Sequence, residues 1–595
     1  MAQPTESSGA PRIGTKLRKS VVRTVFFSVA SIALALILIA VYAFTPSFRG
    51  QRVSQAAADG QTIPAHTSSI SPTARNVAAK WSKSVGPRSA SEAKVEQAGL
   101  AKHQGLKAPT LSKTTQKAAA PSTLGQPLAQ PSTSGQGFSA TKPQINTGPL
   151  ADTDFVTEQS NSSKLSGGPA LPCPSGFCST VAEPSLAVNG KYQMMSYNWY
   201  DTFSTDGGST WSYLDPFSEF TSFTGVGSFC CDQQVIYEPS RDTMFWEQLY
   251  EGTGASNPAG IGIATASGTD LTSWCFYYFT GANFGGTAGD LLDFPDLEFT
   301  NDNMFVSFNR YVSNSFVSSY IARMPLTAMS SCASFSFSYA SDATVFTQAL
   351  TQGAQGTMWY VSDAYVSGGT TGSQLHICSW QDPASSPSCV NRNITPFNYT
   401  DAPDCSSSDS VVTNWCTRLD SRARSAFFTK ANFRGFGPAT LGVALTVGPA
   451  GADPYPWVAI YYFEVAGLVA VSTVDALFNN GYAIAYPSFA ANFRGFIGGE
   501  VSIGGGIGGT HIYPGAMIII YDPTSPTPPF ATSGDGGVGN ATEWGDYMTV
   551  RPVFPSAFAW IAAFWDVDGT STPDVGEVIF DRGRDHNAYS RWANS

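Results

Sequence analysis

Three side chains of different chemistry, Asp296, Arg422 and Tyr547, occupy the same place in a string of residues that recurs along the chain. A carboxyl group donates or accepts a proton, and a guanidinium group holds carboxylates or sugar hydroxyls through its planar fork. A phenol can act as a hydrogen-bond donor or as a nucleophile. If the three groups converge, they form a polar pocket. The alternative is that they hydrogen-bond neighbouring units of a repeat to one another.

The recurring string is found seven times in the second part of the chain. The strings begin at Glu183, Asp232, Phe294, Thr347, Asp420, Tyr486 and Gly545. Their third residues are Ser185, Gln234, Asp296, Ala349, Arg422, Ser488 and Tyr547. Four charged residues stand close to these positions: Asp232, Asp546, Arg418 and Arg551. Because strand side chains alternate with period two, equal positions in equal strands share an orientation.

The strings are short, β-rich and about 50–75 residues apart, with Gly, Ser, Asn and Asp between them. The hexapeptide at residues 431–436 is repeated at residues 491–496, which also indicates a repeat. Irregular all-β repeats of this length are typical of four-stranded propeller blades. The sequence therefore predicts an all-β fold, a seven-bladed β-propeller, with six blades as the alternative. The third positions would then surround the mouth of a central tunnel, where propellers bind ligands.

A turn motif within the first repeat supports this fold. It reads S-x-D-x-G-x-T-W and consists of Ser204, Asp206, Gly208, Thr210 and Trp211. An Asp accepts hydrogen bonds from the backbone of its own turn, and a Gly takes the positive φ that a side chain would disfavour. Thr and Trp suit the returning strand. The motif predicts a β-hairpin with a structural role.

The order of residues in this hairpin resembles the Asp-box of sialidases and other bacterial-neuraminidase-repeat propellers, and the resemblance covers roughly the last 430 residues. In that family the Asp-box lies on the outer hairpin of a blade, away from the active site.

The resemblance implies an arginine triad for a substrate carboxylate, a Tyr nucleophile paired with a Glu, and an Asp as acid/base catalyst. The matching residues here would be Arg422, Arg494 and Arg551 for the triad, Tyr547, Glu500 and Asp296. A tyrosine nucleophile avoids the repulsion between an anionic nucleophile and the carboxylate of the substrate. The chain departs from the family at residues 183–185, where Glu-Pro-Ser stands in place of Arg-Ile-Pro.

Four regions follow from composition. Residues 1–23 are a basic tail, and residues 24–44 are an uncharged apolar run long enough to span a bilayer core of ~30 Å as a helix. The basic flank predicts a signal anchor with a cytoplasmic N-terminus and an exported remainder, and a cleaved signal peptide is the alternative. Residues 45–165, rich in Ala, Ser, Thr and Pro, predict a disordered linker. Residues 166–595 form the propeller.

Charge and cysteines bound the function further. Up to residue 165 there are 18 Lys and Arg against 7 Asp and Glu, and after it 15 against 37, which excludes nucleic acid as a partner of the propeller. All ten cysteines follow the linker, so we expect disulfides. Neighbouring positions favour Cys173–Cys178, Cys378–Cys389, Cys405–Cys416 and Cys275–Cys332, with Cys230 and Cys231 left as a vicinal pair or with separate partners.

We expect neither a cofactor nor a metal centre, with calcium as the alternative. The sequence Asp566-Val567-Asp568-Gly569 contains part of a calcium-binding loop but lacks the third ligand and the distal Glu. The expected partners are a membrane, through residues 24–44, and glycans or surface proteins at a site formed by Arg422, Asp296, Tyr547, Gln234, Asp232, Asp546 and Arg551. The sequence thus favours a binding module of the cell surface over a sialidase-type hydrolase or a structural surface protein.

Overall fold

A computed structural model describes most of the chain from residue 60 onward. The described residues are 60–82, 155–158, 183–198, 200–363, 371–429, 439–449, 454–470, 474–507, 512–521, 530–532, 547–555, 559–567 and 573–582. All of them lie in one compact unit, Ala56–Ser595. The predicted cytoplasmic tail, membrane helix and most of the linker lie outside the described residues.

Within those residues, no helix is both long and apolar enough to cross a membrane.

Four strands come from the region before the first string. They are β1 (Gln61–Thr62), β2 (Ala65–Ile70), β3 (Ala74–Ala78) and β4 (Phe155–Glu158).

The strands after residue 183 form a series of antiparallel meanders, each starting at or next to one of the strings. The first meander is β5 (Ser185–Asn189), β6 (Tyr192–Tyr197), β7 (Tyr200–Ser204) and β8 (Ser212–Leu214). The second is β9 (Ser228–Glu238), β10 (Thr243–Glu251), β11 (Gly260–Ser267) and β12 (Asp270–Phe279). The third is β13 (Leu291–Phe299), β14 (Asn303–Val312), β15 (Ser315–Pro325) and β16 (Phe335–Asp342).

The later meanders repeat this order. The fourth is β17 (Ala349–Gln352), β18 (Thr357–Asp363), β19 (Thr371–Gln381) and β20 (Ser388–Asn398). The fifth is β21 (Ala423–Thr429), β22 (Thr440–Val447), β23 (Trp457–Glu464), β24 (Val469–Ala470) and β25 (Asp475–Leu477). The sixth is β26 (Ala483–Ala491), β27 (Ile497–Gly505), β28 (Ile512–Tyr521) and β29 (Phe530–Thr532). The seventh is β30 (Thr549–Pro552), β31 (Trp560–Val567) and β32 (Pro573–Arg582), completed by β4.

The first strands of the meanders contact one another in a closed series. β5 contacts β9, and the contacts continue through β13, β17, β21, β26 and β30 back to β5. β17 and β21 also pair directly as parallel strands, which joins the fourth and fifth meanders into one sheet. The first strands therefore line the centre of an all-β, propeller-like fold, as the sequence predicts.

An apolar core fills each space between neighbouring meanders. The aromatic residues of the second meander pack towards the first, where Trp246 and Trp274 lie with ring centroids 5.4 Å apart. Other strands are buried on both faces, and β22 is buried along its whole length. Strands with two buried faces have no polar face, which explains why the alternation of polar and apolar residues in the sequence is weak.

In the described part of the chain, two short α-helices and one 3-10 helix, Gly281–Phe284 between β12 and β13, connect strands. α1 (Pro216–Glu219) follows β8, and Asp215 caps it by accepting a hydrogen bond from Phe217 N (3.1 Å). α2 (Leu326–Ser330) lies between β15 and β16.

The linker prediction is wrong for residues 60–82, which we call the N-terminal belt. β1 pairs with β20, β2 with β16 and β3 with β12, and Ser82 bridges to Tyr213 beside β8. The belt thus adds backbone hydrogen bonds to the outer edges of four meanders. Amino-acid composition does not reveal this stabilisation, because it comes from backbone pairing. Trp81 holds its end, because its Nε1 donates to Leu271 O (2.7 Å).

The cysteine pairings agree with the neighbouring positions in the sequence. Bonds join Cys275 to Cys332, Cys378 to Cys389 and Cys405 to Cys416, and Cys230 is bonded to Cys231. Cys173 and Cys178 lie outside the described residues. The Cys405–Cys416 bond closes a loop, residues 400–422, between the fourth and fifth meanders.

Candidate functional site

Four of the seven third positions of the strings hydrogen-bond one meander to the next. In each case the side-chain oxygen accepts a bond from a backbone N–H of the next first strand. The bonds are Val235 N to Ser185 Oγ (3.1 Å), Leu297 N to Gln234 Oε1 (3.1 Å), Leu350 N to Asp296 Oδ2 (2.7 Å) and Val550 N to Ser488 Oγ (2.8 Å). These residues therefore act as the bridging groups that the sequence offered as the alternative to a pocket.

The equivalence predicted for Arg422 and Tyr547 is wrong. In the fifth meander the bridging oxygen belongs to Ser425, which accepts a hydrogen bond from Phe489 N (2.9 Å). In the seventh meander Val550 N donates to Ser488 Oγ, so Thr549, the residue before Val550, takes the third position. The strings at Asp420 and Gly545 begin too early, because extra residues precede the strand. These residues are the 400–422 loop in the fifth meander and two residues in the seventh.

A backbone feature supports the other assignments. The first residues of five strings have positive φ although none is glycine: Glu183 (50°), Asp232 (38°), Phe294 (60°), Thr347 (61°) and Tyr486 (51°). A non-glycine residue in this region costs roughly 1–2 kcal/mol, so its recurrence at one position marks a shared bulge two residues before the bridging position. Asp420 does not have this conformation among the described residues, in agreement with the shifted register.

A cavity of about 60 Å³ lies among the first strands. It brings together four of the predicted site residues: Gln234, Asp296, Tyr547 and Arg551. It also contains polar and aromatic groups that sequence reasoning missed: Phe294, Glu298, Gln348, Gln352, Arg424 and Thr549. These side chains come from the second, third, fourth, fifth and seventh meanders, so the cavity is a feature of the whole ring.

Asp296 and Glu298 lie on one face of β13, because they are two residues apart on a strand. Burial raises the pKa of Asp296, and the hydrogen bond from Leu350 N together with the charge of Arg551 offsets part of that rise. Burial likewise raises the pKa of Glu298 to about 7, against the opposing charge of Arg551. Glu298 can therefore exchange protons near neutral pH, and the neutral form of Asp296 is favoured relative to an exposed aspartate.

Glu298 and Arg551 form an ion pair in the cavity, joined by a hydrogen bond from Arg551 Nη1 to Glu298 Oε1. They stand on β13 and β30, so the pair connects the third and seventh meanders. Arg551 was predicted as a site residue, but Glu298 was not. The position of Glu298, two residues after Asp296 on the same strand, is the signal that could have identified Glu298.

Arg422 and Arg424 both pair with Asp420, yet only Arg424 lines the cavity. The Arg422 guanidinium lies over Phe294 (4.1 Å to the ring centroid) and Phe346 (5.3 Å). Arg424 lies over the same Phe294 ring at 4.7 Å. The prediction that Arg422 shares a cavity with Asp296 and Tyr547 is therefore wrong, and Arg424, two residues later, takes that place.

The remaining predicted residues are dispersed. Tyr547 donates from its hydroxyl to Gln233 O (3.1 Å) while its ring lines the cavity. Asp232 is buried next to the vicinal disulfide, and Arg494 is exposed on the turn between β26 and β27. Asp546 lies outside the described residues.

Glu500 does not form the predicted pair with Tyr547. It stands on β27 opposite Ser488, fully buried, and neither of its oxygens has a hydrogen-bond partner among the described residues. Burial raises its pKa well above the usual value. The three-arginine cluster is likewise not assembled, since of Arg422, Arg494 and Arg551 only Arg551 lines the cavity.

The predicted hairpin at residues 204–211 is formed by β7, β8 and the turn between them. Asp206 Oδ1 accepts from Thr210 N (2.8 Å) and Oδ2 from Thr210 Oγ1 (2.7 Å), and Ser204 Oγ accepts from Gly208 N (2.8 Å). Gly208 has a φ of 80°. Burial would raise the pKa of Asp206, but the bonds from Thr210 and Ser204 outweigh it and lower the pKa. Trp211 is buried in the core.

No protein-family model matches the chain, and no curated protein matches it significantly.

Several solved structures of low sequence identity are similar to it. One is an alpha-L-arabinanase of Penicillium chrysogenum complexed with arabinobiose (11% identity, 69% of this chain and 95% of that chain, TM-score 0.33). Another is the Trypanosoma rangeli sialidase with the inhibitor DANA (8% identity, 54% of this chain and 53% of that chain, TM-score 0.30). A third is the polysaccharide lyase Uly1 (8% identity, 88% of this chain and 100% of that chain, TM-score 0.33). A sialidase is thus among the similar structures, as the sequence resemblance predicts. TM-scores and identities this low carry no argument about activity.

Proposed function

We propose that the chain is an exported, membrane-anchored, seven-bladed β-propeller that binds a glycan at its central cavity. The seven meanders are the blades, and β4 completes the seventh blade with a strand from before the first. Residues 24–44 would be the membrane helix. Protease added to intact cells should then release an acidic fragment of about 440 residues that begins just before β4. Release only after lysis would show that the topology is wrong.

The observation that carries the glycan proposal is the mixture of groups in the cavity. Carboxyl, guanidinium, amide and phenol groups converge there with the ring of Phe294. Sugars present paired hydroxyls, which bidentate guanidinium and carboxyl groups recognise, and apolar C–H faces that fit against aromatic rings. Surface proteins are the other class of ligand for such a platform, and they are an outcome of the test below.

The volume of the cavity favours binding over hydrolysis. About 60 Å³ holds only a few water molecules, whereas sites that enclose a small ligand span roughly 300–1,000 Å³. The cavity can therefore accept one substituent of a sugar, with the ring held outside. Glu298 is also already paired with Arg551, which leaves that carboxyl less available for acid–base chemistry.

Hydrolysis remains the second candidate because of Asp296 and Glu298. Two residues on one strand face are separated by roughly 6–7 Å, and both have raised pKa values. Glycosidases use paired carboxyl groups at comparable separations. The Tyr–Glu pair of the sialidase family is absent here among the described residues, since neither Glu500 oxygen has a partner.

The test is binding of the purified full-length protein to an array of glycans, together with release of sugar from fluorogenic glycosides, including sialosides. We expect binding of one glycan class without release of sugar. Release that is abolished by Tyr547→Phe would overturn the ranking in favour of a hydrolase. Absence of binding to all glycans, with capture of a surface protein instead, would overturn the glycan proposal.

A further inference from the structure

A second cluster of polar groups lies away from the cavity, between the first and second blades. Asp201 on β7 stands opposite Ser196 on β6, which stands opposite Ser185 on β5. Because Ser185 accepts the hydrogen bond from Val235 of the second blade, this row of side chains faces that blade. Asp201 and Ser196 are both fully buried.

The second blade presents polar groups to the same space. Gln233 lies opposite Gln248, and both face the first blade because Gln234, the next residue, faces the third. Trp246 Nε1 donates to Gln233 Oε1 (2.8 Å), and Tyr250 Oη donates to Gln248 Oε1 (2.5 Å). Blade pairing thus brings a carboxyl, a hydroxyl, two amides and a phenol together.

A third element, α1, adds a second carboxyl group, that of Glu219. Phe220, the next residue, stacks on Phe276 of the second blade with ring centroids 4.2 Å apart, which fixes the end of α1 against that blade. Glu219 is 1% exposed. Lys80 of the belt donates from its backbone N to Glu219 Oε2 (3.3 Å), and its Nζ donates to Glu219 O (3.4 Å).

The charged groups of the cluster are not balanced. Asp201, Glu219 and the nearby Asp215 act on one another electrostatically, and Lys80 is the cation that acts on Glu219. Burial raises the pKa of Asp201 well above its usual value. The charges of Glu219 and Asp215 raise this pKa further, and a hydrogen bond with Gln233 offsets part of the rise. Burial raises the pKa of Glu219 to about 7.

Four oxygens of the cluster lack a hydrogen-bond partner of normal geometry within the described part of the chain: Asp201 Oδ1, Asp201 Oδ2, Ser196 Oγ and Glu219 Oε1. Leaving one buried polar group unsatisfied is unfavourable, and a buried carboxylate more so. Ser196 is an independent member of this set, since it is uncharged and belongs to another strand. All four oxygens can donate lone pairs to a cation, and the described residue that acts on Asp201 as a hydrogen-bond partner, Gln233, is a neutral amide that leaves its charge uncompensated.

We propose that Asp201, Glu219 and Ser196 bind a calcium ion between the first and second blades. Calcium takes six to eight oxygen ligands in flexible geometry, and carboxylates, hydroxyl groups and water suit it. The ion offsets two carboxylate charges, and it joins β6, β7 and α1 at a place where the belt also ends. This site is separate from the glycan cavity, and it was not predicted from the sequence because its ligands stand on three separate elements, β6, β7 and α1, and follow no metal-binding spacing.

The experiment measures the thermal midpoint of the purified full-length protein after chelation, with and without added calcium chloride. We expect calcium to raise the midpoint by about 3 °C at a hundredfold excess over its dissociation constant. Terbium should bind the same site and luminesce by energy transfer from Trp246 and Trp274, and calcium should displace it. Asp201→Asn and Glu219→Gln should each abolish the calcium shift and the terbium signal.

Glu500→Gln is the matched control, because Glu500 is an equally buried and unpartnered carboxyl group with no second acid acting on it. This variant should keep the full calcium shift. The proposal is overturned if calcium leaves the wild-type midpoint unchanged, or if the shift persists in either cluster variant. If Asp201→Asn does not fold, Glu219→Gln and terbium luminescence of the wild-type protein decide the question.

Discussion

Carboxyl groups lie in the interior of this protein in two regions that differ in their surroundings. In the central cavity, Glu298 is paired with Arg551, and Asp296 accepts a hydrogen bond from Leu350 N. Charge compensation and hydrogen bonding stabilise the ionised forms there. These carboxyl groups are therefore able to contact a polar ligand in either protonation state.

Between the blades, the surroundings favour the neutral acid. Glu247, Glu500 and Glu577 are fully or almost fully buried, and none of their carboxyl oxygens has a partner among the residues described. At the place in the third blade that corresponds to Glu247 and Glu500, Ser307 Oγ donates to Gln348 O (2.6 Å). A protonated carboxyl group can donate in the same way. Burial alone thus does not identify a functional acid, whereas a nearby cation, such as Arg551 beside Glu298, does.

The largest expected effect is a dependence of the free energy of unfolding on pH, caused by the neutral acids between the blades. If stability does not depend on pH, these acids are not neutral. Burial raises the pKa of Glu577 to about 8 and those of Glu247 and Glu500 well above the usual value. The folded state then binds more protons than the unfolded state. The stability that these three groups contribute should be fully present below about pH 4.5 and fall as the pH rises towards 8, by on the order of 4 kcal/mol for Glu577 alone.

Urea denaturation between pH 4 and pH 8 measures this dependence. Glu577→Gln, which cannot ionise, should flatten the slope relative to the wild-type protein. A stability that is constant over this range, or that rises with pH, would contradict the assignment of neutral acids.

The next effect concerns the cavity. Arg551→Ala leaves Glu298 buried without its cation, and breaking a buried pair in this way costs about 3–5 kcal/mol. Denaturant titration at pH 7.5 should show this loss. The double variant Arg551→Met and Glu298→Gln should recover much of it, because no buried charge then remains. If the single variant is as stable as the wild-type protein, the pair does not compensate charge.

The fold was largely predictable because it depends on repetition. Each string supplies a first strand, and a side chain such as Ser185 or Ser488 bridges to the next blade, so a wrong register in one string leaves the others intact. The belt was not predictable, because backbone pairing to an outer edge requires no particular side chains. Trp81, which holds the end of the belt, was its main signal.

The site was predictable in part. Asp296 and Arg551 were found because the strings place them on first strands, and Gln234 for the same reason. Arg424 was missed because the 400–422 loop shifts the start of β21, and a shift exchanges which side chains face the cavity. Glu298 became significant only when the ring brought Arg551 to it from 253 residues away.

A smaller effect is expected outside both regions. Asp206→Ala removes the acceptor of two hydrogen bonds from Thr210 in the exposed 204–211 turn, at about 1 kcal/mol. Denaturant titration should show this loss while glycan binding is unchanged. A variant that folds with full stability but loses binding would contradict the structural role of this hairpin.

The most direct test of the glycan site compares two adjacent arginines. Arg422 and Arg424 both pair with Asp420 and both lie over Phe294, but only Arg424 lines the cavity. Calorimetric titration with the glycan selected on the array should show that Arg424→Gln weakens affinity about tenfold or more, the loss expected for a charged hydrogen bond. Arg422→Gln should change affinity less than about twofold. Equal losses for the two variants, or a loss only for Arg422→Gln, would contradict binding at the cavity.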